Sequence, residues 1–385
     1  MSGPNGAIDR PLRILFTFRA PVGGLFRHVY DLAKELAARG HAIGFVCDST
    51  TGGERGNRLL DELRPILTLG IHRVPMHRNP HPTDLVALNL VRKLVRGLKP
   101  DVLHGQGAKG GVYARLAGVF TPNSGPIRCY TPHGGSLNYY PGSLSHRGFM
   151  KIERLLDIGT DLFVFESQFV LDRYNEYVCH SKRPTIIALN GLYPQEFDPV
   201  QARENATDFL YVGEFREAKG IDTLVEAMFI LASKGIKPTI TMVGSGPSEG
   251  PVRQLIAQRG IGDQFSWRGV TPAAEAFRMG RIMLVPSRFE SLPYIVLEAV
   301  AGRLPLISTH VGGIPEIVSK DYRYLIAPNN PQVLADAMAD ALARPFARLQ
   351  ADAGALSDVL RERFTVEHMV DTILDGYRMA LAQRR

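Results

Sequence analysis

The pattern of hydrophobic and polar residues divides the chain into blocks, and these blocks predict strands that alternate with helices. Residues 12–17 are apolar enough for a buried strand, and Gly23 and Gly24 follow them. Residues 25–36 then repeat at helical spacing, and 42–47 form the next apolar run. The apolar helix face carries Leu25, Val29, Leu32 and Leu36, and the opposite face carries Arg27, Asp31 and Lys34. This strand, glycine loop, helix and strand predict the start of a Rossmann-like domain.

A second series of the same kind begins after a polar segment. Residues 194–207 contain two prolines and no hydrophobic period, which predicts an interdomain linker. In the first half, further strands are predicted over 101–104, 126–130 and 161–165. In the second half, strands are predicted over 209–212, 239–243, 265–268 and 282–285, and helices over 222–231 and 251–259. The repeat predicts an α/β protein of two domains, 1–194 and 208–364, and residues 365–382 have the spacing of a terminal helix.

Composition is that of a globular enzyme. The chain has 385 residues, of which 45% are hydrophobic and 22% charged. It contains no apolar run of about 18 residues, and its first ten residues have no apolar core, so neither a membrane span nor a signal peptide is expected. The three cysteines are scattered without metal-ligand spacing, which indicates reduced thiols and a cytoplasmic protein.

The net charge of +7 favours anionic partners such as nucleotide diphosphates or phospholipid headgroups. Nucleic acid is not expected as a partner, because the chain has one tryptophan and no basic stripe interleaved with aromatic residues.

Two glutamates at a strand-to-helix junction are the main candidates for chemistry. Glu290 is expected on the loop that leaves strand 282–285, and Glu298 one turn into the helix that begins near Tyr294. Ligands of α/β proteins bind at the carboxyl ends of parallel strands, where a carboxylate can accept hydrogen bonds from sugar hydroxyls. The alternative is structural, with Glu290 capping the helix and Glu298 a solvated acid in its first turn.

This segment, with THVGGIPEIV after it, resembles the glutamate-x7-glutamate signature of the large retaining glycosyltransferase family 4, whose members have the GT-B fold. The resemblance covers residues 12–380 and includes Gly23-Gly24, TPHGG at 131–135, NGL at 190–192 and VGEFREAKG at 212–220. It implies two Rossmann-like domains whose parallel sheets face an interdomain cleft, with the acceptor on the N-terminal domain and the donor on the C-terminal domain. It also implies that helix 365–385 packs back on the N-terminal domain.

The resemblance assigns roles to individual residues. It implies catalytic roles for His133, which would face the donor sugar, and for Glu290, which would hold that sugar. The donor-binding residues expected are Gly23, Gly24, Arg216, Lys219, Gly244, Ser291, Leu292, Tyr294 and Glu298, of which Arg216 does not match the family pattern. His104 is expected to be structural.

Two positions depart from the family pattern. Glu214 stands where the family has an arginine, so we expect Arg216 to take over its phosphate contact beside Lys219. Pro293 stands where many relatives have glycine, and because proline has no N–H, the backbone donors must come from Ser291, Leu292 and Tyr294.

The function implied is transfer of a sugar from a nucleotide-diphosphate sugar to a glycan, glycolipid or small acceptor, with retention of configuration. Neither a metal nor a cofactor is expected, since no Asp-x-Asp pair occurs. Three alternatives stay open: a nucleotide-sugar epimerase, a non-catalytic sugar-nucleotide-binding protein and a nicotinamide-dependent oxidoreductase. The last is disfavoured because proline interrupts the glycine-rich segment 244–250. That segment and Gly312-Gly313 are interpreted as turns.

A basic helix is predicted around residues 147–156. Arg147, Lys151 and Arg154 fall on one side of it, and the other side carries Phe149, Ile152 and Leu156. Such a helix can lie on the anionic inner face of a membrane, or it can pack on its own sheet with a solvated basic face. The spacing does not distinguish the two, so peripheral membrane contact stays open.

Overall fold

The computed structural model describes residues 10–118 and 125–384. The chain divides into two compact units. One contains residues 192–365, and the other contains the described residues before and after that segment. Of the first ten residues, where no signal peptide is expected, all but Arg10 lie outside the described part, as does Arg385 of the terminal helix segment.

The first unit is built on a seven-stranded parallel sheet. Its strands are β1 (Arg13–Thr17), β2 (Ala42–Asp48), β3 (Gly70–Val74), β4 (Val102–Gln106), β5 (Ile127–Thr131), β6 (Leu162–Phe165) and β7 (Thr185–Ile187), and their order is β3-β2-β1-β4-β5-β6-β7. Its first six helices are α1 (Gly23–Ala38), α2 (Gly53–Leu63), α3 (Thr83–Leu98), α4 (Gly107–Gly118), α5 (Leu144–Asp157) and α6 (Gln168–Tyr177). Strands β1 and β4 are almost wholly buried, as expected when helices cover both faces of a parallel sheet.

The second unit has a six-stranded parallel sheet. Its strands are β8 (Thr207–Val212), β9 (Ile240–Val243), β10 (Phe265–Arg268), β11 (Gly280–Val285), β12 (Leu306–Thr309) and β13 (Leu325–Ile326), in the order β10-β9-β8-β11-β12-β13. Its helices are α7 (Ile221–Ser233), α8 (Glu249–Arg259), α9 (Ala273–Ala276), α10 (Tyr294–Ala301), α11 (Ile314–Val318), α12 (Pro331–Ala343) and α13 (Phe346–Arg361). The predicted strands of both halves are all found, with bounds within about two residues.

The last helix, α14 (Val366–Gln383), belongs to the first unit and packs against α1 and strands β5 to β7. Gly376 allows close packing, since a Cβ there would lie 2.5 Å from the Cδ1 atom of Ile186. The Tyr377 hydroxyl is hydrogen-bonded to Nδ1 of His104 at 2.6 Å, which joins the helix to β4.

The segment predicted as a linker, 194–207, is packed on the second unit. Pro194–Phe197 forms a short 3₁₀ helix beside α10, and the Phe197 ring is buried with the Arg361 guanidinium 4.9 Å from its centre. The Val200 amide donates to the carbonyl of Gly302 at 2.9 Å. A second backbone hydrogen bond runs from the Arg203 amide to the Arg278 carbonyl at 2.9 Å, and the polar composition of the segment gives no sign of these contacts.

Two charged helix residues of the first unit are buried, and one of them, Asp31, is expected on the solvent-facing side of its helix. Asp31 of α1 is 2% exposed, and Nε of Arg27 donates to its carboxylate at 2.5 Å. Glu153 of α5 is 3% exposed and lies 2.8 Å from the fully buried guanidinium of Arg115. A buried charge persists only when it is paired, and hydrophobic spacing carries no information on such partners.

The burial of Glu153 changes the orientation of α5. Its inner face consists of His146, Met150, Glu153 and Leu156, whereas Ile152, expected on that face, is 43% exposed. Arg147, Lys151 and Arg154 are exposed, as expected. No helix in the described part of the chain is both long and apolar enough to cross a membrane.

Candidate functional site

Each sheet has a topological switch point at which the strand order reverses. In the second unit, β8 lies between β9 and β11, so the loops after β8 and β11 diverge at the carboxyl edge of the sheet. Ligands of open α/β sheets bind at such points. Lys219 follows β8 and Glu290 follows β11, so the topology brings together two residues that are distant in sequence.

Lys219 and Glu290 form an ion pair at this switch point. The Lys219 Nζ atom donates to Oε1 of Glu290 at 2.6 Å, and the two side chains are 15% and 9% exposed. The Ser287 hydroxyl donates to the same oxygen at 2.7 Å. Lysine has three donors, so Nζ can keep this bond and still donate to a second anion. The arrangement therefore holds a carboxylate and a cation together, with donors left for a ligand.

Close backbone contacts fix the loop that carries Glu290. A Cβ on Gly220 would lie 2.1 Å from the Pro286 carbonyl oxygen, and one on Gly312 would lie 2.2 Å from that of Glu290. The Gly313 amide donates to the carbonyl of Ser291 at 2.5 Å. Glycine is required at Gly220 and Gly312 for this approach and for their positive φ angles of 62° and 61°. Gly312-Gly313 is thus a packing turn.

Gly244 serves a similar contact on the other side of β8. Its φ is 140°, and a Cβ there would lie 2.0 Å from the Gly213 carbonyl oxygen. Gly246 lies equally close to the backbone of Phe215. The segment 244–250 begins after β9 and runs into α8, so it is a loop at the same sheet edge as Lys219.

Arg216 contacts Glu214, the residue that stands in the position of the family arginine. Its Nε lies 3.4 Å from Oε2 of Glu214, and both side chains are about half exposed, at 49% and 56%. Its carbonyl accepts the Lys219 amide at 2.9 Å, so it begins the turn that carries the lysine. Arg216 is therefore held near the sheet edge by an ion pair that is weakened by solvent screening.

The residues just before α10 and the helix itself provide the other donor-binding candidates of the Glu290 segment. Leu292 and Tyr294 are buried, at 4% and 7% exposure, and the Pro293 carbonyl accepts the amides of Val296 and Leu297. Glu298 lies in the second turn and is partly exposed. Neither Glu290 nor Glu298 caps the helix, since the cap residue is Pro293 and no side-chain cap bond is present there.

In the first unit, His133 follows β5 in a left-handed conformation with φ of 51°. This conformation is uncommon outside glycine and is typical of constrained functional positions. Its Nε2 atom is hydrogen-bonded to Oε1 of Gln106, the last residue of β4, at 2.6 Å. Because an amide oxygen only accepts, Nε2 carries the proton and Nδ1 remains an acceptor.

Two further histidines lie beneath His133. The His28 ring meets it edge to face at 4.9 Å, and Nδ1 of His28 is hydrogen-bonded to Oδ1 of Asn190 at 3.0 Å. Both ring nitrogens of His104 are bonded, to the hydroxyls of Tyr377 and Thr131, which fits a structural role. Sequence reasoning missed His28 and Gln106, because their contacts depend on how α1, β4 and β5 are arranged.

This cluster keeps its histidines neutral. Burial lowers the pKa of His28 to about 4. Loss of hydration, with repulsion from His28 and His104, holds the pKa of His133 well below the usual histidine range. A neutral His133 with an unprotonated Nδ1 can accept a hydrogen bond from a hydroxyl.

Gly23 and Gly24 begin α1 at the switch point of the first sheet, where β1 lies between β2 and β4. Both are exposed, and Gly23 has φ of 70° with no atom within 4 Å of a Cβ placed on it. Unlike Gly220, Gly23 faces open space. Its backbone amide stands at a helix N-terminus, where anions are favoured.

Comparison with known proteins agrees with this architecture. Residues 22–190 match the family model described as Glycosyltransferase Family 4, and residues 194–355 match the one described as Glycosyl transferases group 1. The chain is similar to HepE of Anabaena, solved in complex with UDP-glucose, with a TM-score of 0.78 and 15% identity over 94% of this chain and 98% of that one. At that identity the likeness shows the GT-B fold.

Sequence relatives are closer. N-acetyl-alpha-D-glucosaminyl L-malate synthase of Bacillus anthracis is 30% identical over 339 residues, which cover 84% of this chain and 86% of that protein. The putative colanic acid biosynthesis glycosyltransferase WcaL of Escherichia coli K12 is 32% identical over 180 residues. That match covers 44% of this chain and only 43% of the relative, less than half its length. Both family models match this chain, a relative is 30% identical over most of its length, and the chain folds into two units with parallel sheets. The chain is therefore a member of glycosyltransferase family 4 with the GT-B fold.

Proposed function

We propose that this protein transfers a sugar from a nucleotide-diphosphate sugar to an acceptor hydroxyl, with retention of anomeric configuration. The observation that carries the proposal is the Lys219–Glu290 pair at the switch point of the second sheet. A cation suits a diphosphate and a carboxylate suits sugar hydroxyls, so the pair presents both groups that a nucleotide sugar requires. A non-catalytic sugar-nucleotide-binding protein would not need a carboxylate held in this way.

Lys219 and Arg216 would neutralise the diphosphate as it leaves. Departure of the diphosphate develops negative charge on its oxygens, and fixed cations stabilise that charge in the transition state. We propose that these side chains do this without a resident metal ion. Glu298, further along α10, would accept hydrogen bonds from the ribose hydroxyls, and Glu290 would accept them from the transferred sugar.

Retention is proposed through a front-face reaction. The bond between the anomeric carbon and the diphosphate oxygen breaks, and its electron pair leaves with the diphosphate. The acceptor oxygen bonds to the same face of the anomeric carbon, and its proton passes to the departing phosphate oxygen. Glu290, which is held by Lys219 and Ser287, would stabilise the developing cationic sugar with its charge.

We propose that the acceptor binds to the first unit. The names of the relatives include a polysaccharide, colanic acid, and a small acid, L-malate. We propose a glycan, glycolipid or small hydroxylated acceptor used in polysaccharide or glycoconjugate synthesis in the cytoplasm. Neutral His133 would accept a hydrogen bond from a donor-sugar hydroxyl.

A panel assay tests the proposal. The purified protein is incubated with UDP, GDP and ADP sugars, with and without acceptors and with a metal chelator. Transfer predicts release of nucleoside diphosphate that requires acceptor, persists with chelator, and gives a product whose anomeric configuration by NMR matches the donor. An altered sugar nucleotide formed without acceptor would identify an epimerase, and oxidation of reduced nicotinamide would identify an oxidoreductase.

Thermal shift is the companion measurement, because it reports binding without turnover. A nucleotide present at 100 times its dissociation constant raises the free energy of unfolding by about 2.7 kcal/mol. A sugar nucleotide that stabilises the protein, but is never consumed with any acceptor tested, would favour the non-catalytic binding protein.

A further inference from the structure

Helix α5 exposes large apolar side chains toward solvent. Leu144 is 86% exposed, Leu155 is 70% exposed, and Ile158 just after the helix is 67% exposed. At about 100° per residue these three side chains lie within about 60° of one another around the axis, opposite the buried His146 and Glu153. Apolar side chains clustered on one exposed face are typical of interaction surfaces.

Cations line the same face. Arg147, Lys151 and Arg154 are exposed, and none of them forms an ion pair with a carboxylate in the part of the chain that the structure describes. Arg183 lies at the end of the helix, where its guanidinium donates to the Ile158 carbonyl at 3.1 Å. We call Leu144, Arg147, Lys151, Arg154, Leu155 and Ile158 the basic-apolar face.

The two carboxylates of α5 point away from this face. Glu153 accepts hydrogen bonds from Tyr130 at 3.0 Å and Ser136 at 2.7 Å, and it lies beside Arg115. Asp157 accepts a hydrogen bond from the Tyr174 hydroxyl at 3.1 Å. The basic-apolar face therefore carries cationic and apolar side chains without a carboxylate, while the inner surface of the helix is anchored by Glu153.

We propose that the basic-apolar face of α5 docks on a lipid bilayer surface that is rich in anionic lipid. Leucine and isoleucine side chains would enter the headgroup region, and arginine and lysine would bind lipid phosphates while their methylene stems follow the apolar residues. A bilayer matches both properties at once along the whole helix. The proposal does not depend on glycosyl transfer, because lipid binding needs neither donor nor turnover.

Vesicle flotation with the full chain tests this proposal. Pure phosphatidylcholine vesicles are compared with vesicles that also contain phosphatidylglycerol. Binding should be about tenfold or more tighter to the anionic vesicles and should weaken in high salt, where charges are screened. L155S/I158S and R147E/K151E should each reduce binding at least about fivefold, and L155S/I158S should do so at every salt concentration.

The matched control is V359S/K320E, which changes an exposed apolar residue and an exposed cation in the second unit. It should bind vesicles like the unmodified protein, and all variants should keep the same circular dichroism and melting temperature. The proposal is overturned if neutral and anionic vesicles bind equally, or if the α5 variants bind as the control does. A dimer that L155S/I158S abolishes, without vesicle binding, would instead assign the face to a second copy of the chain. Unchanged nucleotide binding by the α5 variants separates this result from any failure of the proposed function.

Discussion

Lys219 is paired with a carboxylate before any ligand is bound. Removing its charge therefore has two effects: the donor diphosphate loses a cation, and Glu290, only 9% exposed, keeps just the Ser287 hydroxyl of the two hydrogen bonds to its Oε1 atom. The two effects are separable, because the first needs a phosphate and the second is present in the ligand-free protein.

Lys219→Ala should weaken binding of a nucleoside diphosphate about tenfold to a hundredfold, since a charge-assisted hydrogen bond contributes about 1.5–3 kcal/mol. Affinity for the nucleoside alone should hardly change. Titration calorimetry with both ligands measures the difference, and the melting temperature of the free protein should also fall. Equal losses for nucleoside and diphosphate would contradict the phosphate role.

Arg216→Ala is the companion variant. It should weaken diphosphate binding in the same direction but by less, because Arg216 is half exposed and screened by solvent. If Arg216→Ala leaves diphosphate affinity unchanged, Arg216 does not take over the role of the family arginine whose position Glu214 occupies.

Glu290→Gln and Glu298→Gln should separate turnover from binding. Glutamine at 290 can still accept from Ser287 but loses the charge that stabilises a cationic transition state, so turnover should fall about a hundredfold. Diphosphate affinity should hold or rise, since Lys219 is released. Glutamine at 298 should mainly weaken nucleotide binding.

Steady-state kinetics and calorimetry with the unreactive diphosphate measure the two quantities side by side. If Glu290→Gln turns over normally, or Glu298→Gln binds the diphosphate normally, the corresponding role is wrong.

At the scale of elements, the Glu290 loop depends on neighbours that carry no chemistry. Gly312→Ala should destabilise the protein by about 1–3 kcal/mol and lower turnover, because its Cβ would meet the Glu290 carbonyl at 2.2 Å in a conformation alanine rarely adopts. Gly250→Ala is the matched control, since no atom lies within 4 Å of its Cβ in α8. Denaturant unfolding measures the stability of the two variants, and an activity assay measures their turnover. If the two variants have the same stability and the same turnover, the contact between Gly312 and the Glu290 loop is unimportant.

The elements also show what sequence can predict. Strands β1, β8 and β11 each contain a short apolar run, at residues 14–16, 209–212 and 282–285, so their positions follow from the chain alone. The Lys219–Glu290 pair joins residues 71 positions apart and exists only because β11 lies next to β8. Strand order is a tertiary property, and the sequence placed both residues at sheet edges without predicting that they touch.

Burial of polar groups was the other gap. Periodicity treats a charged residue as solvent-facing, so Asp31 is expected on the outer face of α1 although it is buried, and the spacing contains no sign that Glu153 is buried. Gln106 gave no signal at all, since it ends a strand as an ordinary polar residue. Glu153 and Gln106 are hydrogen-bonded to residues outside their own elements, Tyr130 and His133, whereas Asp31 is paired with Arg27 one turn away in the same helix.

At the scale of the whole molecule, neutral buried histidines make stability depend on pH. His28 takes up a proton near pH 4 in the folded protein, against 6.5 for its ordinary value. Between these limits the unfolded chain binds more protons, so the free energy of unfolding falls as pH falls. His104 and His133 shift in the same direction. Carboxylates such as Asp161, whose pKa is lowered from 3.8, contribute only at more acid pH.

The free energy of unfolding should therefore drop by about 2 kcal/mol for His28 alone between pH 7 and 5. Denaturant unfolding at several pH values measures the slope. His28→Gln should flatten it, whatever its effect on stability at pH 7, and the exposed His310→Gln should leave it unchanged. A slope that His28→Gln does not alter would show that this histidine has the same pKa in the folded and unfolded protein.

The return of α14 to the first unit has a consequence for the order of synthesis. The ribosome releases β1 to β7 before any residue of the second unit, yet the helix that covers β5 to β7 emerges only after residues 192–365 have been made. The second unit is one continuous stretch and can finish folding during translation. The first unit must wait with strands β5 to β7 not yet covered by α14 and with His104 lacking its Tyr377 partner. The part of the protein that is made first is thus completed last.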